Sequence, residues 1–247
     1  MDLFNSENTN LPFKIPKLDG VHCIFNSVLN GYIIKVPNGE IIYIEHFLDT
    51  KISDRTLEYF LENDLFDWKN VNWREFDKES LSNVKFKNIN WHHDKLSMYG
   101  KELFLPRYSA WYGDSDKPYT YSGLTLQPNN WNKGLLYIKE QIENLAMVKF
   151  NSVLMNWYRD GEDYINWHTD AEKELGVNPV IGSINFGATR RFLLRSNDDH
   201  SIKIEFLLKH GTLLIMRGEL QHHWQHSVPK EKKVKETRIN LTFRSIK

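Results

Sequence analysis

The chain has 247 residues, 40% hydrophobic and 13% aromatic, which supplies a packed globular core and excludes a largely disordered polypeptide. Its 32 basic residues balance 32 acidic ones, so net charge gives no bulk attraction to nucleic acid, although Ser227 to Lys247 holds seven Lys or Arg against two acids. A single cysteine, Cys23, excludes an internal disulfide, and with no apolar run of about 18 residues and no signal-peptide pattern the expectation is an intracellular protein that does not enter membranes.

The first twenty residues are polar and turn-rich and are expected to be loosely held. Two β-branched runs then flank Pro37-Asn38-Gly39, and Asn-Gly, which tolerates positive φ at both central positions, predicts a hairpin there. A helix is predicted in the stretch from Ser53, its expected cap, with Leu57, Phe60 and Leu61 on one face. From Asp67 to Asp94, charge, Asn and Trp alternate without clear period, as in an insertion. A second helix is predicted from a cap at Asn130, with Leu135, Ile138, Ile142 and Leu145 on its apolar face. Beyond Lys149 the pattern changes to eight short strand-like runs separated by turns, which predicts a sandwich or small barrel.

Three of these runs carry candidate chemistry. His168 and Asp170 are two apart, so on one strand they would share a face and grip one cation together; HHWQHS offers His222, His223 and His226 for a third ligand. Two histidines and a carboxylate suit non-haem Fe(II), whereas His222 and His226, four apart, suit a zinc site on a helix. The last run places Arg238, Asn240, Thr242 and Arg244 at alternate positions between Ile239, Leu241 and Phe243. Guanidinium pairs bidentately with carboxylate, so two inward arginines would call for an anion such as a dicarboxylate.

His168-Thr169-Asp170, His226 and Arg238-Ile-Asn-Leu-Thr-Phe-Arg244 together resemble the AlkB family of Fe(II)- and 2-oxoglutarate-dependent dioxygenases, in particular its eukaryotic duplex-DNA dealkylating branch. PRYSAWYGD, YTYSGLTLQP, NWYRDG, HTDAEKEL, SINFGATRRFLLR, HGTLLIM and HWQHSVP extend the likeness from about Met98 to Lys247. The resemblance implies a mainly β fold with flanking helices (α+β) and a double-stranded β-helix, or jelly-roll, core. It divides the chain into a flexible segment 1–20, an N-terminal elaboration 21–95 and a dioxygenase domain 96–247 with a nucleotide-recognition lid.

By the same resemblance, His168, Asp170 and His226 hold iron, with His222 and His223 as neighbours. Asn156, Tyr158, Arg238, Asn240, Thr242 and Arg244 surround 2-oxoglutarate, Arg238 on its distal carboxylate. Tyr119, Tyr121 and Ser122 line the substrate lid, and Glu172 lies near the base's polar edge. The implied activity is oxidative demethylation of 1-methyladenine and 3-methylcytosine in DNA with O2 as co-substrate, releasing formaldehyde, succinate and CO2, by a monomer that would be nuclear in a eukaryote. A base inside a duplex must be flipped out to react. For that step the resemblance offers Tyr99 as a wedge, with Gly100 and Lys101 beside it, Arg107 on the backbone or base, and Lys230, Lys232 and Lys233 against the second strand. Glu231 interrupts those lysines and subtracts from their charge. The competing expectations are an RNA- or protein-directed 2-oxoglutarate oxygenase and a non-catalytic barrel that binds a metal or diacid.

Overall fold

The computed structural model describes residues 11–247 except 74, 77–80, 82, 99–100, 116–118 and 122–123, and gives backbone only at 96–98, 101–103, 119–121 and 124–126. The N-terminal part forms β1 (Phe13–Lys14), β2 (His22–Asn26), β3 (Gly31–Val36), β4 (Gly39–Ile44) and helix α1 (Thr50–Leu61). Next come the hairpin β5 (Lys95–Met98) and β6 (Lys101–Phe104), then β7 (Tyr108–Gly113), the hairpin β8 (Tyr119–Tyr121) and β9 (Leu124–Leu126), and helix α2 (Lys133–Ala146). The remainder supplies β10 (Ser152–Tyr158), β11 (Ile165–His168), β12 (Ile181–Gly187), β13 (Arg190–Ser196), β14 (Lys203–Leu208) and β15 (Leu213–Gly218). A short helix α3 (Leu220–His223) leads into β16 (Trp224–Val228), and β17 (Arg238–Arg244) follows. All eight runs expected after Lys149 are strands.

Two antiparallel sheets face each other: β2-β3-β4-β15-β12-β17-β10-β7 and β1-β14-β13-β16-β11. This is the jelly-roll architecture implied by the resemblance. α1 and α2 cover the outer face of the larger sheet, where Phe60, Leu135, Ile138 and Ile142 pack on Ile184, Ile239, Leu241 and Phe243. Between the sheets, Phe13, Ile34, Tyr43, Phe192, Leu194, Phe206 and Leu214 seal one end with apolar side chains. The space beside β10, β12 and β17 is lined with polar groups instead, and the site lies there. Among the described residues no helix is long and apolar enough to cross a membrane.

Several local expectations shift. The N-terminal hairpin closes on Pro37-Asn38, because Val36 pairs with Gly39 and only Asn38 takes positive φ, 64°. Proline cannot adopt positive φ, so the turn that suits it has Pro at its first central position and a left-handed residue at its second. The cap of α1 lies four residues before the expected one: Asp49 accepts from the Ile52 N–H at 2.8 Å, and Ser53 is buried on the helix. α2 is capped by Asn132, not Asn130, and its buried face is completed by Ala146, with Leu145 only partly covered. The segment before residue 20 is not loose from Phe13 onward, since Phe13 is buried against Tyr32, Tyr43 and Phe206. The Asp67 to Asp94 stretch packs too, Trp73, Phe86 and Trp91 surrounding the Trp157 ring at 5.1, 5.3 and 5.5 Å.

One buried charge on α2 yields a stability prediction. Glu143 accepts from the Phe150 N–H at 2.7 Å and pairs with Lys149 at 2.8 Å and Lys139 at 2.9 Å. Burial pushes its carboxyl up, but the two lysines and the N–H outweigh burial and hold it below the usual range. A depressed folded-state pKa stabilises above the unfolded value of about 4.3, and that stabilisation is lost as pH falls through the folded value. Glu143→Gln keeps an acceptor for the Phe150 N–H but loses the charge, and is expected to cost about 1 kcal/mol at neutral pH, chiefly at Lys139 since Lys149 is largely solvated. Urea titrations of both proteins should show the gap closing in acid.

Candidate metal centre

His168, Asp170 and His226 converge, their ligand atoms all within 4.8 Å of one another. The route differs from the shared strand face expected from spacing. β11 ends at His168 and its register against β16 shifts between Ile165 and His168, so Asp170 lies beyond the strand. Its backbone N–H donates to Gln221 Oε1 on α3 at 2.9 Å, which ties that turn down. His226 sits on β16 opposite His168 in register, the two rings 4.2 Å apart.

Each side chain is aimed. His168 Nδ1 lies 2.8 Å from the Asn166 carbonyl, which can only accept, so Nδ1 carries the proton and Nε2 is left with a lone pair. Arg244 Nη2 donates to Asp170 Oδ1 at 2.7 Å, and Oδ2 faces His226 Nε2 at 3.9 Å. Burial favours the neutral carboxyl at Asp170, but Arg244 and the two histidines prevail and hold its pKa down at about 2. Burial together with His168 pushes His226 down to about 3, and burial also lowers His168. At neutral pH the site therefore presents two neutral imidazoles and one carboxylate, the protonation states a metal ion binds.

The opposite wall comes from the strand with alternating arginines. β17 lies between β10 and β12, pairing Arg238 with Tyr158 and Gly187, and Asn240 with Asn156 and Asn185. All seven residues of β17 are buried: the apolar set under the helices, the polar set in the cavity between the sheets. Arg238 is 1% exposed; its Nη2 donates to Asn185 Oδ1, while Nε and Nη1 are buried without a hydrogen-bond partner among the described residues. The Tyr158 ring lies 4.9 Å from its guanidinium carbon. Burial lowers Arg238 to about 10, Tyr158 opposing, and it stays cationic at neutral pH. Two unsatisfied buried donors on a cation mark the place of an anion that the described residues do not supply. The two-histidine, one-carboxylate set leaves coordination positions open and suits non-haem Fe(II), and a diacid with one end at Arg238 suits the cavity beside it.

The other candidate residues fall into distinct places. Asn156, Tyr158, Asn240, Thr242 and Arg244 line the same cavity as the triad. So does Arg107, which is 3% exposed and donates to Asn156 Oδ1 at 2.8 Å, an interior position that a phosphate cannot reach as the side chain stands. Glu172 is half-buried just before the turn Lys173–Leu175. Tyr119 and Tyr121 share one face of β8, Lys101 opens β6, and Tyr99, Gly100 and Ser122 lie outside the described residues. Lys230, Lys232 and Lys233 are exposed. Glu231 does not face them: its carboxylate is 3.1 Å from Arg190 Nε and 3.3 Å from Arg191 Nε. His222 and His223 are on α3, outside the triad, with His223 3.5 Å from Glu219. Asn185 and Gln221 hold the site and were not anticipated. Ser183 and Asn185 alternate with Ile184 and Phe186 on β12, the same signal as on β17. A larger cavity of about 840 Å³ lies between residues 68–73 and Lys235–Thr237, but no set of metal-ligating side chains converges on it among the described residues.

Comparison with known proteins agrees with this geometry. Residues 40–244 match the model of the 2OG-Fe(II) oxygenase superfamily, beginning well before Met98. The chain is 48% identical over 150 residues to "Alpha-ketoglutarate-dependent dioxygenase alkB homolog 3" of Bos taurus, covering 57% of this chain and 52% of that protein. It is 40% identical over 159 residues to "DNA oxidative demethylase ALKBH2" of Homo sapiens, covering 62% of this chain and 61% of that protein. The chain thus spans about half the length of the alkB homolog 3 relatives it matches. Among solved structures, "The structure of OsALKBH1" superposes with a TM-score of 0.51 at 15% identity, covering 83% of this chain and 97% of that one, a likeness of fold.

Proposed function

Because the chain belongs to the 2OG-Fe(II) oxygenase superfamily, we propose that it oxidatively demethylates N-alkylated bases in DNA, with 1-methyladenine and 3-methylcytosine as substrates. The observation that carries this reading is a two-histidine, one-carboxylate donor set facing a buried arginine with unsatisfied donors in one cavity. The names of the alkB homolog 3 and ALKBH2 relatives support nucleic acid as the substrate class.

Bound Fe(II) and 2-oxoglutarate would supply oxidation by O2, so that the methyl carbon leaves as formaldehyde and 2-oxoglutarate as succinate and CO2. His168, Asp170 and His226 hold the ion from one side. Arg244 fixes the Asp170 carboxylate by occupying one of its oxygens, and the Asn166 carbonyl and Gln221 set the angles of His168 and Asp170. Arg238 takes the distal carboxylate of 2-oxoglutarate, oriented by Asn185 and the Tyr158 ring, while Asn156, Asn240 and Thr242 line the path between. Fixing metal, co-substrate and methyl group in register is most of what the protein contributes.

The base reaches this cavity only after leaving the helical stack. Tyr99, which falls between β5 and β6 in the sequence, is the wedge that fills the gap, with Gly100 and Lys101 following it, and an inserted ring offsets part of an unstacking cost of a few kcal/mol. Tyr119, Tyr121 and Ser122 form the lid over the flipped base, Glu172 and Arg107 meet its polar edges, and Lys230, Lys232 and Lys233 hold the backbone. Formaldehyde release from 1-methyladenine- or 3-methylcytosine-containing oligonucleotides, with Fe(II) and 2-oxoglutarate added, tests the whole reading. Release from duplex DNA above that from single-stranded DNA or RNA is expected. Iron binding without formaldehyde from any of the three would refute a demethylase.

A further inference from the structure

The segment carrying the outward lysines is anchored from beneath by its own acidic residue. Glu231 Oε2 accepts from the Arg191 N–H at 2.9 Å and from Arg190 Nε at 3.1 Å, and Oε1 accepts from Arg191 Nε at 3.3 Å. Arg190 is 1% exposed and staples two loops: it donates to the carbonyls of Asp160 and Asp163 at 3.0 and 2.9 Å, and to that of Pro229 at 2.6 Å. The backbones interlock in the same place. Glu231 N–H donates to the Gly161 carbonyl at 2.8 Å, Gly161 N–H to the Val234 carbonyl at 3.0 Å, and Val234 N–H to the Glu231 carbonyl at 2.8 Å. A Cβ at Gly161 would sit 1.9 Å from the Glu231 carbonyl oxygen, so only glycine permits this approach.

We propose that Glu231 is a positioning residue for nucleic-acid binding: pairing with Arg190 and Arg191, it fixes the loop so that Lys230, Lys232 and Lys233 meet the phosphate backbone together. This rests on the nucleic-acid reading above and deepens it. Its two guanidinium partners neutralise the carboxylate where it sits, so it takes little from the field of the lysines. Without it, buried Arg190 would lose its ion-pair partner among the described residues, and the loop would lose both its side-chain anchor and the register that brings Lys230 over the Tyr164 ring, 4.7 Å away.

The sign of one substitution separates this role from simple charge counting. Glu231→Gln removes a negative charge from a basic loop; were Glu231 only a charge there, binding would tighten and its salt dependence would steepen by about 0.9. A positioning role reverses both signs. Fluorescence anisotropy of a labelled unmodified duplex, titrated with the full chain over a series of salt concentrations, reads them without turnover. The expected result is binding weakened about tenfold, with the salt slope shallower by about 1 to 2 as phosphate contacts are lost. Glu231→Asp, which keeps the charge, is expected to recover part of the slope. Lys233→Ala is expected to weaken the native chain but to add little in the Glu231→Gln background, a non-additivity that general unfolding would not produce when melting shows both variants folded. Should Glu231→Gln unfold, the Glu231→Asp and Lys233→Ala pair carries the same cycle. Tighter or unchanged binding by the Glu231 variants, or additive effects with Lys233→Ala, would overturn the proposal. Failure of the native chain to bind any duplex would instead remove the nucleic-acid reading on which it stands.

Discussion

Arg238→Ala is expected to weaken 2-oxoglutarate binding by roughly a hundredfold while changing nucleic-acid affinity by less than about threefold. The asymmetry follows from where the guanidinium lies. It is 1% exposed on an interior strand of the larger sheet and faces the cavity, with Asn185 satisfying one nitrogen and two others unsatisfied among the described residues. In so dry a place a carboxylate partner is worth about 3 kcal/mol, which is the hundredfold. A nucleic-acid backbone outside the cavity would not meet this group. Anaerobic titration of the iron-loaded protein with 2-oxoglutarate, beside anisotropy with a duplex, measures both; equal losses would mean that Arg238 serves the nucleic acid.

The same position separates binding from folding. An unpaired buried cation costs more than an apolar side chain of similar length, so Arg238→Met is expected to leave the ligand-free protein at least as stable as the native one. What the variant loses is the stabilisation 2-oxoglutarate confers, about 2.7 kcal/mol at a hundred times its Kd in the native protein. Melting temperatures with and without 2-oxoglutarate would show the two effects in opposite directions.

Periodicity exposed the polar wall of the cavity because β17 is regular over its full length. Alternate positions therefore point one way, and polar alternates on a strand with Ile, Leu and Phe between them had either to face water or to face a ligand. Packing decides between those: the helices cover one face of β17 and its other face lines the cavity between the sheets, so all seven residues are buried. Asp170 was found for a reason that did not hold. Its spacing from His168 implies a shared strand face, but β11 ends first and Gln221, 51 residues away in sequence, holds the aspartate in place. No local pattern encodes that contact. Arg107 illustrates the same limit, since whether an arginine after a proline lies on the surface or inside depends on the strand it precedes. The cap positions erred by two to four residues because Asp49 and Asn132 compete with equally suitable Ser53 and Asn130, and only packing of the apolar face selects between them. Glu231 read as a liability among lysines because its partners, Arg190 and Arg191, lie 40 residues upstream on another strand.

Asp170→Ala and His226→Ala are each expected to abolish turnover, since either leaves only two protein ligands for the metal, but they should differ sharply in stability without metal. Asp170 is the counter-charge of Arg244, which is 4% exposed and donates to it at 2.7 Å. Removing the carboxylate takes this buried ion pair away, at a cost of about 3 kcal/mol. His226 is already neutral, so its removal leaves a cavity beside Phe192 and no uncompensated charge, costing about 2 kcal/mol. Acid extends the contrast. Asp170 has its pKa depressed to about 2, so its contribution is complete above the unfolded carboxylate value of about 3.9 and is lost as pH falls through 2. Urea unfolding of chelator-treated proteins should therefore show the native chain and His226→Ala losing this stability in strong acid, while Asp170→Ala, which has already lost it, does not. Equal costs for the two variants at neutral pH would mean that the ion pair with Arg244 adds no net stability, and the carboxylate would then be held for the metal alone.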